Sequence, residues 1–142
     1  MTATPLSDEA EAACRRLVIA FAHHLDHREF AQVADLFAAD GVWERHGEQL
    51  VGPYEVAALL ARRPPTVRER HVMTTIHITA VSPVECAGTS YAMIFRTEAE
   101  PDAPPPVVPG PSSLAEFHDR FQLTAYGWRL AHRRSELVFT CR

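Results

Sequence analysis

The chain has no CxxC pair, and its three cysteines, Cys14, Cys86 and Cys141, are odd in number and widely spaced. That pattern signals neither a disulfide framework nor a zinc site, so the thiols read as buried or incidental. Basic charge is not in excess either: 14 arginines, scattered along a chain without lysine, face 18 acidic residues for a formal net charge of −4. This argues against nucleic acid as a main partner. Long apolar runs are missing, with no 18 consecutive apolar residues, and "MTATPLSDEAEAACRR" lacks a basic segment followed by an apolar one. Neither a membrane span nor a secretory leader is expected, which leaves a cytoplasmic protein with no membrane partner. An HExxH motif and internal repeats are also absent.

What is present is enough for one domain over 1–142, because 46% hydrophobic content can bury a core without metal or disulfide staples. Ser7, followed by Asp8 and Glu9, reads as the N-cap of a long helix whose apolar face is Ala10, Ala13, Cys14, Leu17, Val18, Phe21 and Leu25. Phe30, Val33, Ala34 and Phe37 predict a second helix, ended by a turn at Asp40-Gly41 that leads into the short strand "VWER". Pro53 begins a third helix with Val56, Leu59 and Leu60 on one side and Pro64-Pro65 as its stop. The period then changes to two. His71, Met73, Thr75, His77 and Thr79 alternate with Val72, Thr74, Ile76, Ile78 and Ala80, so both faces are mixed. "CAGTSYAMIFRTE", "LAEFHDRFQLTAY" and "WRLAHRRSELVFT" predict three more strands, the last two a hairpin at Gly127. "PDAPPPVVPGP" carries six of the eleven prolines and reads as a stiff surface loop. Helices followed by a mostly antiparallel sheet make an α+β order, and a curved sheet closed by helices would enclose an apolar cavity.

Asp26 stands where the first amphipathic pattern stops and the second begins. Asp26-His27-Arg28-Glu29 has the D-x-x-E form of a capping box for the second helix. Continuing the first helix through Asp26 would turn its side chain about 140° from the apolar stripe, so it meets a cavity only if the helix ends first or the cavity lies off that stripe. A cap uses one carboxylate oxygen and leaves the other free.

The order of "LDHREFAQVADLFAADGVWE", "GPYEVAALL", "RERHVMTTIHI", "GTSYAMIFR" and "YGWRLAHRR" resembles the SnoaL-like branch of the NTF2-like superfamily, the cone fold of scytalone dehydratase, hexachlorocyclohexane dehydrochlorinase, ketosteroid isomerase and polyketide cyclases. The resemblance implies a cone of three N-terminal helices packed on a curved, mixed, mostly antiparallel sheet around a pocket. It also implies that Asp26 and His71 match a His–Asp general-base pair and that Trp43 matches an aromatic lining the pocket. Leu25 stands where scytalone dehydratase has a tyrosine, so the group that assists the leaving atom is not assigned.

Such a pair is chemically sufficient for proton abstraction. An ordinary imidazole, with a pKa of about 6.5, accepts a proton at physiological pH, and a carboxylate on its other nitrogen fixes the tautomer. The candidate catalytic residues are Asp26 and His71; Trp43, Tyr54, Met73 and Phe121 are the candidate substrate-binding residues, weighed against simple core packing. The eight histidines include the helical pair His23 and His27, but no closed ligand shell accompanies them, and neither a metal nor another cofactor is expected. His118 or His132 could supply an acid, while Arg96, Arg133 and Arg134 could hold an anion or be solvated or paired. The expected partner is a small hydrophobic or aromatic molecule, in a homodimer or homotrimer. Two functions fit: a cofactor-independent lyase or isomerase, or a non-catalytic ligand-binding or assembly module like a dioxygenase small subunit, in which Asp26 only caps a helix.

Overall fold

The computed structural model describes residues 3–141. Among these residues the order is α1 (Asp8–Asp26), α2 (Phe30–Ala34), β1 (Phe37–Arg45), β2 (Glu48–Val51), α3 (Gly52–Ala61), β3 (Val67–Ser82), β4 (Glu85–Glu98), β5 (Ser113–Thr124) and β6 (Gly127–Thr140). The six strands form one open sheet in the order β2-β1-β6-β5-β4-β3, antiparallel throughout except where β1 runs parallel to β6. Three helices on a mixed, mostly antiparallel sheet is the α+β cone expected from the sequence.

Helix α1 forms where its pattern predicts. The Ser7 hydroxyl accepts from the Ala10 N–H at 3.1 Å, acidic residues fill the first turn, and His23 and His24 occupy the last. Cys14, Leu17, Val18, Phe21 and Leu25 are buried against the sheet, where Phe21 meets Trp43 edge-on at 5.1 Å between ring centroids. Helix α3 starts with Pro53 in its first turn and buries Val56 and Leu60.

The second helix departs from expectation. It spans five residues, its N-cap is Glu29 with no side-chain capping bond, and Phe37 already belongs to β1. The D-x-x-E capping box does not form: α1 itself runs to Asp26, and the Glu29 carboxylate is bound to His24 Nδ1 at 3.0 Å. Asp40-Gly41 is not a turn but lies inside β1, at an irregularity in its pairing with β6. Gly41 is needed there for close approach, since a Cβ would sit 2.6 Å from the Leu130 carbonyl oxygen. Strand β2, four residues ending at α3, was too short to register in the alternation.

The mixed faces of β3 have a physical cause. Its register with β4 shifts between Thr74 and His77, and Thr75 takes the left-handed φ of 53°. This bulge reverses the alternation. Met73 packs on the core before it and Ile76 and Ile78 after it, while His77 and Thr79 turn to the outer face. The proline-rich stretch between β4 and β5 is largely exposed and held at its ends, where Ala99 N–H donates to the Thr66 carbonyl and Ser112 N–H to that of Ile94.

On the outer face, strand register aligns Val72, Met93, Leu114 and Phe139 in one row across β3, β4, β5 and β6, with Val72, Met93 and Phe139 exposed. A continuous apolar row on a sheet face favours self-association. The expected outcome is a dimer or trimer in sedimentation at about 10 μM, a concentration at which a sub-micromolar oligomer stays intact, and a monomer for Met93→Glu. A monomeric wild type would remove this role for the row.

Candidate functional site

The inner face of the sheet and the C-terminal half of α1 enclose a cavity of about 190 Å³. Phe21, Leu25, Trp43, Ile94, Ala115, Phe117 and Leu137 supply its apolar lining; Arg45, Arg63, Glu69, His71, Arg96 and three serines supply its polar one. An apolar chamber with a few converging polar groups suits a small organic ligand.

Asp26 and His71 meet in its wall. Oδ1 of Asp26 lies 2.6 Å from His71 Nδ1, and Oδ2 accepts the backbone N–H of the same histidine at 2.8 Å. Both side chains are about nine-tenths buried. The carboxylate thus uses both oxygens on one residue, fixing where the strand passes and how the ring is turned. A carboxylate only accepts, so Nδ1 carries the proton and Nε2 holds the lone pair. Nε2 makes no hydrogen bond among the described residues, and His71 is one of the residues that line the cavity.

The local chain explains how Asp26 reaches this point. Helix α1 ends on it, and the chain then reverses through Arg28 at a left-handed φ of 60°. The Arg28 guanidinium donates to the Arg63 and Pro64 carbonyls at 3.0 and 3.1 Å, while Arg70 donates to the Asp26 carbonyl at 3.2 Å. These contacts tie the end of α1 both to the segment after α3 and to β3. The helical wheel's objection disappears because Asp26 is terminal.

Trp43 is 4% exposed, lines the cavity, and donates its indole N–H to Ser135 Oγ at 3.1 Å. The other three aromatic or apolar candidates lie elsewhere. Tyr54 is 85% exposed on α3, because the buried side of that helix is Val56 and Leu60. Met73 packs on the core cluster near the β3 bulge, and Phe121 is completely buried in that core, opposite Cys86 and Leu130. None of these three lines the cavity. His118 bonds Glu136 at 2.7 Å and His132 pairs with Glu44 at 3.3 Å; with His77 they line a depression on the outer face.

Glu69 was missed by sequence reasoning, although alternation from His71 places it two residues away on the same face. It is buried, pairs with Arg63, and has Arg96 at 4.0 Å. Arg45, the last residue of β1, was also missed; its guanidinium lies 5.0 Å over the Trp43 ring. Burial, and next the neighbouring Arg63, draw its pKa below the usual arginine value.

Arg133, weighed as an anion holder or as a solvated or paired cation, is paired and fully buried. It makes two 2.8 Å bonds to Asp119 and lies between the Phe21 and Phe117 rings, 4.3 and 4.2 Å from their centroids. Its Nη1 and the Ser90 hydroxyl are buried without partners among the described residues. This paired charge supports the two rings that form part of the cavity wall. Burial, with Cys86 beside it, pushes the Cys14 thiol well above the ordinary range, which keeps it protonated and unreactive.

Asp26, Glu69 and His71 place one ligand atom each within 4.8 Å of one another. A cation there would compete with the bonds just described: Asp26 Oδ1 is used on His71 Nδ1, Oδ2 on the His71 backbone N–H, and Glu69 is held by arginines. The donor set is therefore better matched to a proton-transfer pair than to a metal.

Three helices packed on one six-stranded, mixed, mostly antiparallel sheet with a cavity between them place the chain in the cone-shaped α+β class of NTF2-like domains. The chain belongs to the SnoaL-like domain family, which its residues 7–134 match. A protein of unknown function with a cystatin-like fold from Nostoc punctiforme shares 18% identity at a TM-score of 0.77, over 94% of this chain and 95% of that one. An NTF2-like protein from Novosphingobium aromaticivorans shares 18% at 0.75, over 92% and 82%. A hexachlorocyclohexane dehydrochlorinase shares 15% at 0.77, over 94% and 88%. At these identities the likeness establishes the fold. No functionally curated protein matches the sequence.

The two hydrogen bonds that Asp26 accepts from His71 give a stability prediction. Asp26→Ala strands two buried N–H groups of His71, each costing about 1–3 kcal/mol, and should lower the urea midpoint accordingly. Asp26→Asn has one acceptor oxygen where two donors need one each, so it should lose less stability. If its amide NH₂ turns to the ring, the histidine proton moves from Nδ1 to Nε2, which ¹⁵N chemical shifts of His71 read directly. Equal stability of the alanine variant and wild type would contradict the geometry.

Proposed function

We propose that this chain is a cofactor-independent lyase or isomerase acting on a small hydrophobic or aromatic substrate in the cavity, with His71 as general base and Asp26 as its positioning residue. The observation that carries this reading is the pair of Asp26 bonds to His71, which leaves Nε2 as a lone pair opening on an apolar chamber. A carbon-bound proton adjacent to a carbonyl or a leaving group passes to Nε2. The C–H electron pair then forms a new double bond, with negative charge moving to oxygen or departing with the leaving group. The resulting imidazolium is stabilised by the Asp26 carboxylate 2.6 Å from Nδ1. The Ser135 hydroxyl, which accepts from Trp43, keeps its own hydrogen free to donate toward developing oxyanion charge. Membership of the SnoaL-like family and fold likeness to a dehydrochlorinase support elimination chemistry as the type of reaction.

The test needs no knowledge of the natural substrate. 5-Nitrobenzisoxazole is a flat, apolar molecule whose C3 proton, once taken by a base, leads to cleavage of the N–O bond and release of a coloured cyanophenolate. The expected result is base-catalysed opening by the wild type, lowered by about a hundredfold or more in His71→Gln, the scale of a general-base contribution. Asp26→Asn should fall in the same direction. A rate unchanged by His71→Gln would favour the alternative, a ligand-binding or assembly module of the same fold.

A further inference from the structure

The charges around the cavity do not balance. Three arginines, Arg45, Arg63 and Arg96, line it together with His46 and two acidic residues, Glu69 and Glu136, and Glu69 is shared between Arg63 and Arg96. Asp26 is committed to His71, and the Glu136 carboxylate bonds His118 on the outer side of β6. Glu48, the register partner of Arg45 across the β1–β2 hairpin, and Glu69 both act favourably on Arg45, but neither forms an ion pair with it among the described residues. Arg45 is therefore the one of the three that makes no ion pair among the described residues.

Its position is fixed rather than free in solvent. The guanidinium is half-buried and lies over the Trp43 ring, whose indole holds Ser135; the Ser135 hydroxyl hydrogen is unclaimed. A half-buried cation with no counterion, next to a second cation, is unfavourable until an anion arrives. A planar guanidinium matches a carboxylate in a two-point fork, and Trp43 and Phe117 in the same lining add apolar aromatic surface beside it.

We infer that the cavity selects an aromatic carboxylic acid, its ring lying against Trp43 and Phe117 and its carboxylate bound by Arg45, at the end of the chamber marked by Trp43 and Ser135. This rests on reading the cavity as the substrate site, and it narrows the substrate from any small apolar compound to an anionic one. The anchor does not take part in proton transfer: it fixes which end of the ligand is held, and so which carbon can be brought toward His71.

Calorimetric titration with 2-naphthoate and its neutral isostere 2-naphthamide tests the anchor separately from the base. The wild type is expected to bind the naphthoate at least about tenfold more tightly, the scale of a charge-assisted hydrogen bond in place of a neutral one. Arg45→Gln should remove that preference while leaving naphthamide affinity unchanged, and Arg45→Lys, which keeps charge but loses the fork, should restore part of it. His71→Gln should retain the preference, so loss of base catalysis leaves the anchor standing and the converse also holds. The inference is overturned if the wild type binds both probes equally or neither, if Arg45→Gln keeps the preference, or if His71→Gln abolishes it.

Discussion

The carboxylate of Asp26 is where helix, strand and cavity are joined. One oxygen holds the imidazole of His71 and the other holds the backbone N–H of the same residue, so the end of α1 is bound to one point of β3 in both position and orientation. The direction of α1 across the sheet follows from that tie at one end and from the Cys14–Leu25 stripe along its length. Arg28 and Arg70 secure the same junction by donating to backbone carbonyls on the α3–β3 segment and on Asp26 itself. A bond that positions a ring this firmly also pre-sets its tautomer, so the folding contact and the proton-transfer device proposed for the site are one arrangement.

Charge is managed unusually deep in this small core. Arg133 and Asp119 are both buried, and removing either would leave the other unpaired in an apolar surround. Their value lies in geometry, since the guanidinium packs against both Phe21 and Phe117, two rings of the cavity wall that also meet each other at 6.4 Å. The bulge at Thr75 does similar work on β3. It lets His71 face the cavity while Ile76 and Ile78, of opposite parity, cover the core farther along the strand.

Much of the fold was legible because its signals are local. The Ser7 cap, the α1 stripe, Pro53 at the start of α3 and the Gly127 hairpin each depend on a few neighbouring residues, and each stands as read. The failures were nonlocal. Phe37 fits a helical stripe and also a strand, and only its pairing opposite Leu130, 93 residues away, decides for the strand. Gly41 looked like a turn because the Leu130 carbonyl that demands a glycine is equally remote. Within the site, Asp26, His71 and Trp43 came from a motif resemblance, whereas Tyr54, Met73 and Phe121 were chosen by residue type. Residue type cannot say which side of an element faces a cavity, nor could it show that Arg45 comes to rest on Trp43.

The sheet order β2-β1-β6-β5-β4-β3 has a kinetic consequence. Strands β3 to β6 can zip together as successive antiparallel neighbours, each joining the one made just before it. The β1–β2 hairpin has no such neighbour: its sole link to the sheet is the parallel edge of β6, the last strand in sequence. During synthesis this early hairpin must therefore wait for its place in the sheet, with Trp43 lacking its bond to Ser135, until β6 is made. Docking of β1 onto β6 is thus a late, long-loop closure, and the exposed hairpin edge is the surface that a chaperone or an aggregating neighbour would meet first.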